Sequence, residues 1–415
     1  MDLGLGSVAV KQGGASSRRR GLELGWSLPS RGPLARVDIL TRLARTADTL
    51  GYSVVTISDH VVLPTSSSEP YPYDKTGAFP GGADQVHLEP IALAPWLLAA
   101  TRRVRVAISV LVVPYRNPVV TAKQLATIDA LSGGRLVVGV GVGWWREEFE
   151  ALAAPRFEER GPVTDEYIRL MKALWTEDAP RFAGKYYQVG NITMLPHPVQ
   201  KPHPPIWVGG HTEPALRRTA LLGDAWHPIG LRGPAGLAPD ELGEKVARIR
   251  TLASQAGRNP ASIGVAFRGP LDLWPARGKT PDEAPRPLAG PPDKVAADIR
   301  AYQAAGVDTM IFDFPRPDPA AMVTAMRRVA RELRPRVARR SATRLSAANV
   351  AVPVIGPGWR ASRPWTRRGI PTWCQSSTPR TVARTTPRST PSPRRRRSPR
   401  SSASGTSDPT RGSRS

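Results

Sequence analysis

The chain has 415 residues, 40% of them hydrophobic, so it is long enough to bury one large core or two to three cores of average size. Its formal net charge of +25 initially suggests a nucleic-acid partner, and its single cysteine, Cys374, excludes a disulfide or a thiolate metal cluster within one chain. No apolar run approaches the roughly 20 residues of a membrane span, so we expect no membrane partner and a reducing, cytoplasmic compartment.

Residues 1–20 lack hydrophobic periodicity and are predicted to be a disordered leader, or extra residues from an early start codon. The segment "SSRRRGLEL" is similar to a twin-arginine export signal. However, Glu23 and Pro29 interrupt the apolar segment that such a signal requires. We therefore expect the organised chain to begin at residue 21.

Strand-like and helix-like segments then alternate along the chain. The first strand-like segment, "LELGWSL", is followed by apolar residues spaced by three and four up to Leu50, and Gly51 stops that helix. The strands are near-continuous apolar runs, as expected when helices cover both faces of a parallel sheet. The eight predicted strands are residues 22–28, 53–57, 104–113, 135–142, 205–210, 225–229, 262–267 and 308–314.

Eight β/α units predict an α/β fold, a (β/α)₈ TIM barrel, over residues 21–335. A doubly wound sheet is the alternative, but eight units favour closure. Two connections are longer than a barrel needs: residues 61–88 after strand 2, and residues 177–204, a hairpin-like insertion before strand 5. The first lies on the C-terminal face, where barrel active sites are found.

Residues 336–415 lack periodicity and are rich in Arg, Ser, Pro and Thr. This stretch has 18 arginines, no lysine and one acid, so it carries +17 of the total charge and leaves +8 on residues 1–335. We expect it to be disordered, because such a composition cannot offset its ordering entropy by burial. Three explanations stay open: a nucleic-acid or membrane-surface arm, a solvated tail without a partner, or a GC-rich gene read in the wrong frame.

The end of predicted strand 4 reads "GVGVGWW". Gly139, Gly141 and Gly143 would allow the backbone to approach a flat ligand closely. The run is a weak nicotinamide-binding fingerprint, because the third glycine of G-x-G-x-x-G would fall at Trp144.

The end of predicted strand 5 is a candidate phosphate site. Gly209 and Gly210 end the strand, and Thr212 can cap the helix that follows. The bare amides and the dipole of a helix N-terminus favour a phosphate. A capped β–α turn with nothing bound is the alternative.

Motifs for metal binding and nucleophilic catalysis are absent from the sequence. The six histidines lack a spacing such as H-E-x-x-H, and no G-x-S-x-G elbow occurs, so we expect no metal site. Asp59 and His60 follow predicted strand 2 and so belong to the C-terminal mouth of the barrel, as a functional pair or as an ordinary polar turn.

Several segments together resemble luciferase-like monooxygenases, specifically the branch of oxidoreductases that use coenzyme F-420. The resemblance covers roughly residues 22–334, in order and without large gaps. It implies a deazaflavin ring, or the isoalloxazine of FMN, in the barrel mouth, and a homodimer formed through barrel helices. The segments are "ISDH", "SVLVVPYRNPVVTAKQLATIDALSGGRLVVGVGVGWWREEFEAL", "DEYIRLMKALWTED", "PPIWVGGHTEPALRRTALLGDAWHP" and "PPDKVAADIRAYQAAGVDTMIFDF".

The resemblance also implies where the cofactor lies. A cis peptide bond between Ser109 and Val110, in a bulge at the end of strand 3, would support one face of the ring. The phosphate end of the cofactor side chain would lie near residues 209–212, with His211 among them.

In related deazaflavin enzymes an Asp-His pair lines the pocket, and it matches Asp59 and His60. The resemblance implies that Asp59 hydrogen-bonds the ring system and that His60 faces the reactive carbon. Neighbouring side chains of an extended strand point to opposite faces, so both can line one pocket only if the chain bends at Ser58.

One position departs from the family pattern. The sugar-phosphate dehydrogenase branch has a glutamate just after the strand 4 glycines, whereas Trp144 and Trp145 stand here. This favours an apolar substrate, aromatic or isoprenoid-like, lined by the two tryptophans. Glu147 and Glu148 are candidate replacements for the missing acid, with Glu148 the predicted catalytic one. The alternative is that both are first-turn acids favoured by the helix dipole.

We therefore expect hydride transfer between coenzyme F-420 and an organic, apolar substrate. An FMN-dependent monooxygenase that uses molecular oxygen is the alternative within the same fold. A protein that binds nucleic acid through its arginine-rich tail is the alternative from another class.

Overall fold

The structure is a computed structural model. The predicted leader, residues 1–20, lies outside its described residues, and so does the predicted tail from residue 339 onward. The described residues are 21–67, 70–71, 77–79, 81–230, 236–273, 287–314 and 318–338.

The described residues contain ten strands. They are β1 (Glu23–Ser27), β2 (Val54–Ile57), β3 (Arg105–Val112), β4 (Leu136–Gly141), β5 (Phe182–Ala183), β6 (Gln188–Val189), β7 (Ile206–Gly209), β8 (Ala225–His227), β9 (Gly264–Pro270) and β10 (Thr309–Asp313). Eight of them form a closed barrel of parallel strands in the order β1-β10-β9-β8-β7-β4-β3-β2. The predicted (β/α)₈ barrel is confirmed, and a doubly wound open sheet is excluded.

Helices connect successive barrel strands. They are α1 (Val37–Thr49), α2 (Pro90–Ala100), α3 (Pro118–Ser132), α4 (Arg146–Ala151), α5 (Arg160–Thr176), α6 (Glu213–Leu222), α7 (Pro239–Gln255), α8 (Pro292–Ala304), α9 (Pro319–Arg328) and α10 (Arg334–Val337). No helix in the described parts of the chain is long and apolar enough to cross a membrane. The last helix extends beyond residue 335, the predicted end of the barrel domain, because Val337 is buried in the core.

The core explains why the strands are apolar throughout. All four residues of β2 are buried, since one face of the strand packs inside the barrel and the other packs against helices. In α1, by contrast, only the stripe that includes Leu40, Leu43 and Ala47 is buried. The helical spacing predicted from the sequence is therefore confirmed.

The start and end of α3 follow the signals in the sequence. The side chain of Asn117 accepts hydrogen bonds from the backbone N–H groups of Val119 and Val120, and Pro118 occupies the first turn. Gly133 ends the helix with a φ of 64°, the left-handed conformation that glycine favours. These signals fix where the chain leaves the mouth after β3.

The predicted insertion before β7 contains the hairpin β5–β6, paired antiparallel. The carboxylate of Glu166 accepts hydrogen bonds from the backbone N–H groups of residues 185–187 at its turn. The other long connection is tied to the loop after β1, because Arg31 and His87 form an antiparallel bridge. This connection, residues 61–88, lies at the barrel mouth.

Candidate active site

His60 follows β2 at the C-terminal mouth of the barrel. Its Nδ1 atom lies 2.8 Å from Oε2 of Glu148, and its side chain retains 12% of its exposure. Aromatic rings surround the imidazole: Phe79 at 5.4 Å, His87 at 5.2 Å and Trp145 at 5.9 Å between ring centroids. The structure thus brings together His60 and Glu148, the two residues predicted to be catalytic.

Glu148 lies in α4 and is fully buried. Besides the bond to His60, Oε1 accepts hydrogen bonds from the backbone N–H groups of Val61 at 2.7 Å and Val62 at 3.3 Å, and Oε2 accepts one from Tyr115 at 2.9 Å. Burial by itself raises the pKa of Glu148, but the bonds from His60, Val61 and Tyr115 together lower it below its usual value. Glu148 is therefore an ionised carboxylate that fixes the turn after β2.

The charge on Glu148 sets the tautomer of the His60 ring. An ionised carboxylate only accepts hydrogen bonds, so Nδ1 of His60 must be the donor. In the neutral imidazole, Nε2 is then a proton acceptor, and it has no hydrogen-bond partner among the described residues. The arrangement suits exchange of a proton at Nε2 with a substrate in the mouth.

Asp59, although adjacent to His60, has a different environment. Both carboxylate oxygens accept hydrogen bonds from Arg116 at 2.7 Å, and Oδ2 also accepts one from the backbone N–H of Val112 at 2.8 Å. The Asp59 side chain has no exposed surface. Burial raises the pKa of Asp59, while the bonds from Arg116 oppose that change. Asp59 therefore positions the end of β3, and the ring contact implied by the family resemblance stays a prediction.

Arg116 is held by two acids. Burial on its own would lower the pKa of its guanidinium, but Asp59 and Glu89, the latter at 2.8 Å, raise it overall. These two ion pairs join the segment before α3 to both ends of the connection between β2 and α2. Nothing in the sequence identified Arg116 beforehand, because its partners are 57 and 27 residues away.

The end of β3 contains the cis peptide bond between Ser109 and Val110 that the family resemblance implied. Its pairing with β4 shifts register between Ile108 and Leu111, which marks a bulge. The Ser109 hydroxyl lies 2.7 Å from Nε2 of His227 in β8. The bulge is thus connected across the barrel to the opposite wall.

His227 is buried and neutral. Its Nδ1 lies 2.6 Å from the carbonyl oxygen of Ala266, so Nδ1 donates and Nε2 accepts from the Ser109 hydroxyl. Burial lowers the pKa of His227 to about 4. The sequence did not identify His227 as a site residue, because a lone histidine in an apolar strand is not part of any recognisable motif.

The strand 4 glycines lie against closely packed neighbours. A Cβ at Gly139 would lie 2.0 Å from the carbonyl oxygen of Ile108, and one at Gly141 would lie 2.5 Å from Cγ2 of Val110. Gly143 has a φ of +82°, and a Cβ there would contact Phe149 at 2.6 Å. These glycines therefore make room for the β3 bulge and for α4.

At the C-terminal end of β7, the predicted phosphate residues lie together. Gly210 has a φ of +102°, and Nε2 of His211 is buried with no hydrogen-bond partner among the described residues. Thr212 occupies the N-cap position of α6, as predicted, but its side chain makes no capping hydrogen bond. A Cβ at Gly209 would approach Val110 to 3.0 Å, which places the bulge beside this strand end.

These groups fit the anionic end of a flavin or deazaflavin cofactor. Burial lowers the pKa of His211, so its ring is neutral and can offer an N–H, and the exposed Thr212 hydroxyl is not committed to the helix. The N-terminal amides of α6 add further donors. Half-buried Val110 offers an apolar surface beside the same strand end.

An aromatic cluster lines the mouth near His60. Trp144 and Trp145 stack with ring centroids 4.7 Å apart, and Phe79 lies 6.0 and 5.0 Å from them. Tyr71 contacts both Phe79 and Trp144 at 5.3 Å. Trp144 is half-buried, whereas Trp145 is only 3% exposed, so Trp144 has the accessible ring. The cluster is consistent with the predicted apolar substrate.

Further polar groups at the mouth were not predicted. Arg268 in β9 forms an ion pair with Asp313 at 2.7 Å and also approaches the Ser109 hydroxyl at 3.3 Å. His87 has both ring nitrogens buried without a partner among the described residues, and burial lowers its pKa to about 4. These residues come from distant strands and loops, so only the closed barrel brings them together.

A comparison with known sequences gives two informative relatives. An uncharacterised protein of Mycobacterium tuberculosis is 38% identical over 224 residues, which is 54% of this chain and 74% of that protein. An FMNH₂-dependent dimethylsulfone monooxygenase of Pseudomonas putida is 40% identical over 186 residues, covering 44% of this chain and 49% of that protein.

Solved structures share the fold at lower identity. A monooxygenase from Streptomyces bottropensis has a TM-score of 0.60 and 23% identity, over 76% of this chain and 100% of that chain. An F-420-dependent secondary alcohol dehydrogenase with a coenzyme–acetone adduct has a TM-score of 0.60 and 17% identity, over 77% and 99% of the two chains. At these identities the similarity establishes the fold alone.

The sequence model of one family, described as luciferase-like monooxygenase, matches residues 22–284. This match spans strands β1 to β9 and includes every residue of the candidate site except Asp313. Together with the closed barrel, it shows that the chain belongs to the luciferase-like monooxygenase family.

Proposed function

We propose that the protein transfers a hydride between coenzyme F-420 and an organic substrate with an apolar body. The observation that carries this proposal is the His60–Glu148 pair, in which a buried carboxylate leaves Nε2 of His60 as a proton acceptor beside an aromatic pocket. When bound, a deazaflavin accepts or donates a hydride at a ring carbon. A substrate that gains or loses a hydride also gains or loses a proton to become a neutral product, and His60 is placed to exchange it.

The other site residues would bind the coenzyme and orient the substrate. Gly210, His211 and Thr212 would hold the phosphate end of the coenzyme, and Val110 would lie behind one face of its ring. Trp144 and Phe79 would cover the substrate and exclude water. Such positioning supplies much of the rate enhancement in a two-substrate reaction. From the family resemblance we expect a cytoplasmic homodimer.

An FMN-dependent monooxygenase is the second candidate. The specific observation in its favour is the 40% identity to the FMNH₂-dependent dimethylsulfone monooxygenase over 186 residues. Both candidates use the same barrel mouth, so they differ in the cofactor and in the need for oxygen.

A cofactor titration separates the two candidates. The purified full chain is titrated anaerobically with F-420 and with FMN, and binding is followed by cofactor fluorescence. We expect F-420 to bind at least about tenfold more tightly than FMN, a difference of about 1.4 kcal/mol. His211→Ala is expected to weaken that binding, whereas His197→Ala, in the insertion, leaves it unchanged.

Oxygen uptake completes the comparison. Preferential binding of FMN, together with oxygen consumption when reduced FMN is supplied, would overturn the F-420 proposal and support the monooxygenase. Binding of neither cofactor would overturn both.

A further inference from the structure

Arg31 is a cation at the barrel mouth that the proposed reaction does not use. It follows β1, and its backbone pairs with His87 in the connection between β2 and α2. Its guanidinium carbon lies 5.3 Å from the centre of the Phe79 ring. The side chain is half-buried, and burial lowers its pKa.

Arg31 differs from the other two arginines of the mouth in its charge compensation. Arg116 has the carboxylate of Asp59 at 2.7 Å, and Arg268 has that of Asp313 at 2.7 Å. Within the parts of the chain that the structure describes, no carboxylate forms a hydrogen bond or an ion pair with Arg31, and the Asp313 carboxylate, already paired with Arg268, raises the pKa of Arg31 only in part against the effect of burial. A partly buried guanidinium without an anion is costly, and a bound carboxylate would offset that cost.

The phosphate of the coenzyme is not a suitable anion for Arg31. In the barrel order, β1 is four strands from β7 in either direction, so the two strands lie on opposite sides. The proposed phosphate site follows β7, whereas Arg31 follows β1. An anion at Arg31 therefore belongs to a molecule on the far side of the mouth.

Phe79 connects Arg31 to the reacting group. Its ring centre lies 5.3 Å from the Arg31 guanidinium and 5.4 Å from the His60 ring. A substrate bound along Phe79 would thus have one end at Nε2 of His60 and the other at Arg31. The aromatic surface between them fits an apolar body.

We propose that Arg31 is a specificity-determining residue that binds a carboxylate of the substrate, so that the substrate class is an organic acid with an apolar body. This inference rests on the proposed use of the mouth as a substrate site. A planar guanidinium matches a carboxylate with two parallel hydrogen bonds, which a lysine cannot reproduce.

The test compares a charged probe with its neutral ester. Binding of 4-(hydroxymethyl)benzoate and of methyl 4-(hydroxymethyl)benzoate to the full chain is measured by calorimetry, in the presence of whichever cofactor the titration identifies. We expect the acid to bind about tenfold or more tightly than the ester, as for a charge-assisted hydrogen bond. Arg31→Gln should remove this preference and leave ester binding unchanged, and Arg31→Lys should retain part of it.

Arg42→Gln is the matched control, because it removes the same charge from an exposed position on α1. Equal binding of acid and ester to the unaltered protein would overturn the inference, whatever the variants do. An Arg31→Gln variant that keeps the preference would also overturn it. So would one that instead weakens cofactor binding, since Arg31 would then hold the cofactor.

The result of the acid–ester comparison does not depend on whether the protein binds F-420 or FMN. If FMN rather than F-420 binds, the F-420 proposal fails while the preference for the acid still stands. If F-420 binds but the acid and the ester bind equally, the cofactor proposal stands and the role of Arg31 fails. Thermal unfolding of each variant verifies that it is folded.

Discussion

The Nδ1 atom of His60 lies 2.8 Å from Oε2 of the buried Glu148, and this contact joins the loop after β2 to the helix after β4. The two residues are 88 positions apart in the sequence. Because Glu148 also accepts bonds from the backbone of Val61 and Val62, it fixes both the histidine ring and the turn that carries it. The pair therefore contributes both to the stability of the barrel mouth and to the orientation of the proposed acid–base group.

Replacing Glu148 with Gln should damage both properties. A glutamine has one acceptor oxygen and one donor nitrogen, so it cannot accept from Val61, His60 and Tyr115 at once. We expect the free energy of unfolding to fall by about 1–3 kcal/mol and turnover to fall by about tenfold to hundredfold. Urea unfolding and steady-state kinetics measure the two effects. Glu150→Gln, exposed on the same helix, should change neither.

Replacing His60 with Ala should separate chemistry from cofactor binding. We expect the cofactor dissociation constant to change by less than about twofold, whereas turnover falls by about a hundredfold or more, as on loss of a general acid–base group. Fluorescence titration and single-turnover kinetics check the two quantities. Turnover at the full rate would show that His60 is only an ordinary polar residue of the turn.

Replacing Asp59 with Asn tests whether this residue positions the backbone or contacts the ring. The change removes the bidentate carboxylate from Arg116 but leaves its bond to Glu89, so we expect a loss of about 1–3 kcal/mol in the free energy of unfolding. A double-mutant cycle that combines Asp59→Asn with Arg116→Gln should give a coupling energy between the two residues above about 1 kcal/mol. Unchanged stability with weaker cofactor binding would instead support the direct ring contact that the resemblance implies.

Replacing Gly141 with Ala should be destabilising, because the added Cβ would lie 2.5 Å from Cγ2 of Val110. We expect a cost of about 1–3 kcal/mol for this overpacking. Val110→Ala removes the opposing methyl groups and should recover part of the loss in the double variant. Equal costs of Gly141→Ala in the two backgrounds, measured by chemical denaturation, would contradict the proposed contact.

His227 should make the protein less stable in acid. Its pKa is about 4 in the folded protein against 6.5 for an unperturbed histidine, so the unfolded state binds the proton first as pH falls. Stability is therefore retained above about pH 6.5 and lost progressively down to about pH 4.

The size of this effect is measured against a variant that cannot titrate. Between about pH 7 and about pH 4.5, His227 should contribute a loss of about 2 kcal/mol that His227→Gln lacks. Urea unfolding at the two pH values gives the difference, and the other titrating groups cancel because both proteins contain them. An identical loss in both proteins would contradict the prediction.

The sequence by itself determined the barrel and the strand ends that form its mouth. All eight predicted barrel strands occur, because strands buried on both faces leave uninterrupted apolar runs and the helices between them leave a three-and-four spacing. Local signals also placed Asn117 and Gly133 at the ends of α3, since caps depend only on neighbouring backbone groups. The family resemblance added the cis bond between Ser109 and Val110.

Only the tertiary structure decided what each side chain at the mouth contacts. Asp59 and His60 are adjacent in sequence, yet one is buried against Arg116 while the other faces an aromatic pocket. Closure of the barrel sets these side-chain contacts, because it brings together strand ends that are tens of residues apart in the sequence. For the same reason the sequence did not identify Arg31, since a charge without a direct anionic partner is recognised only when its neighbours in space are known.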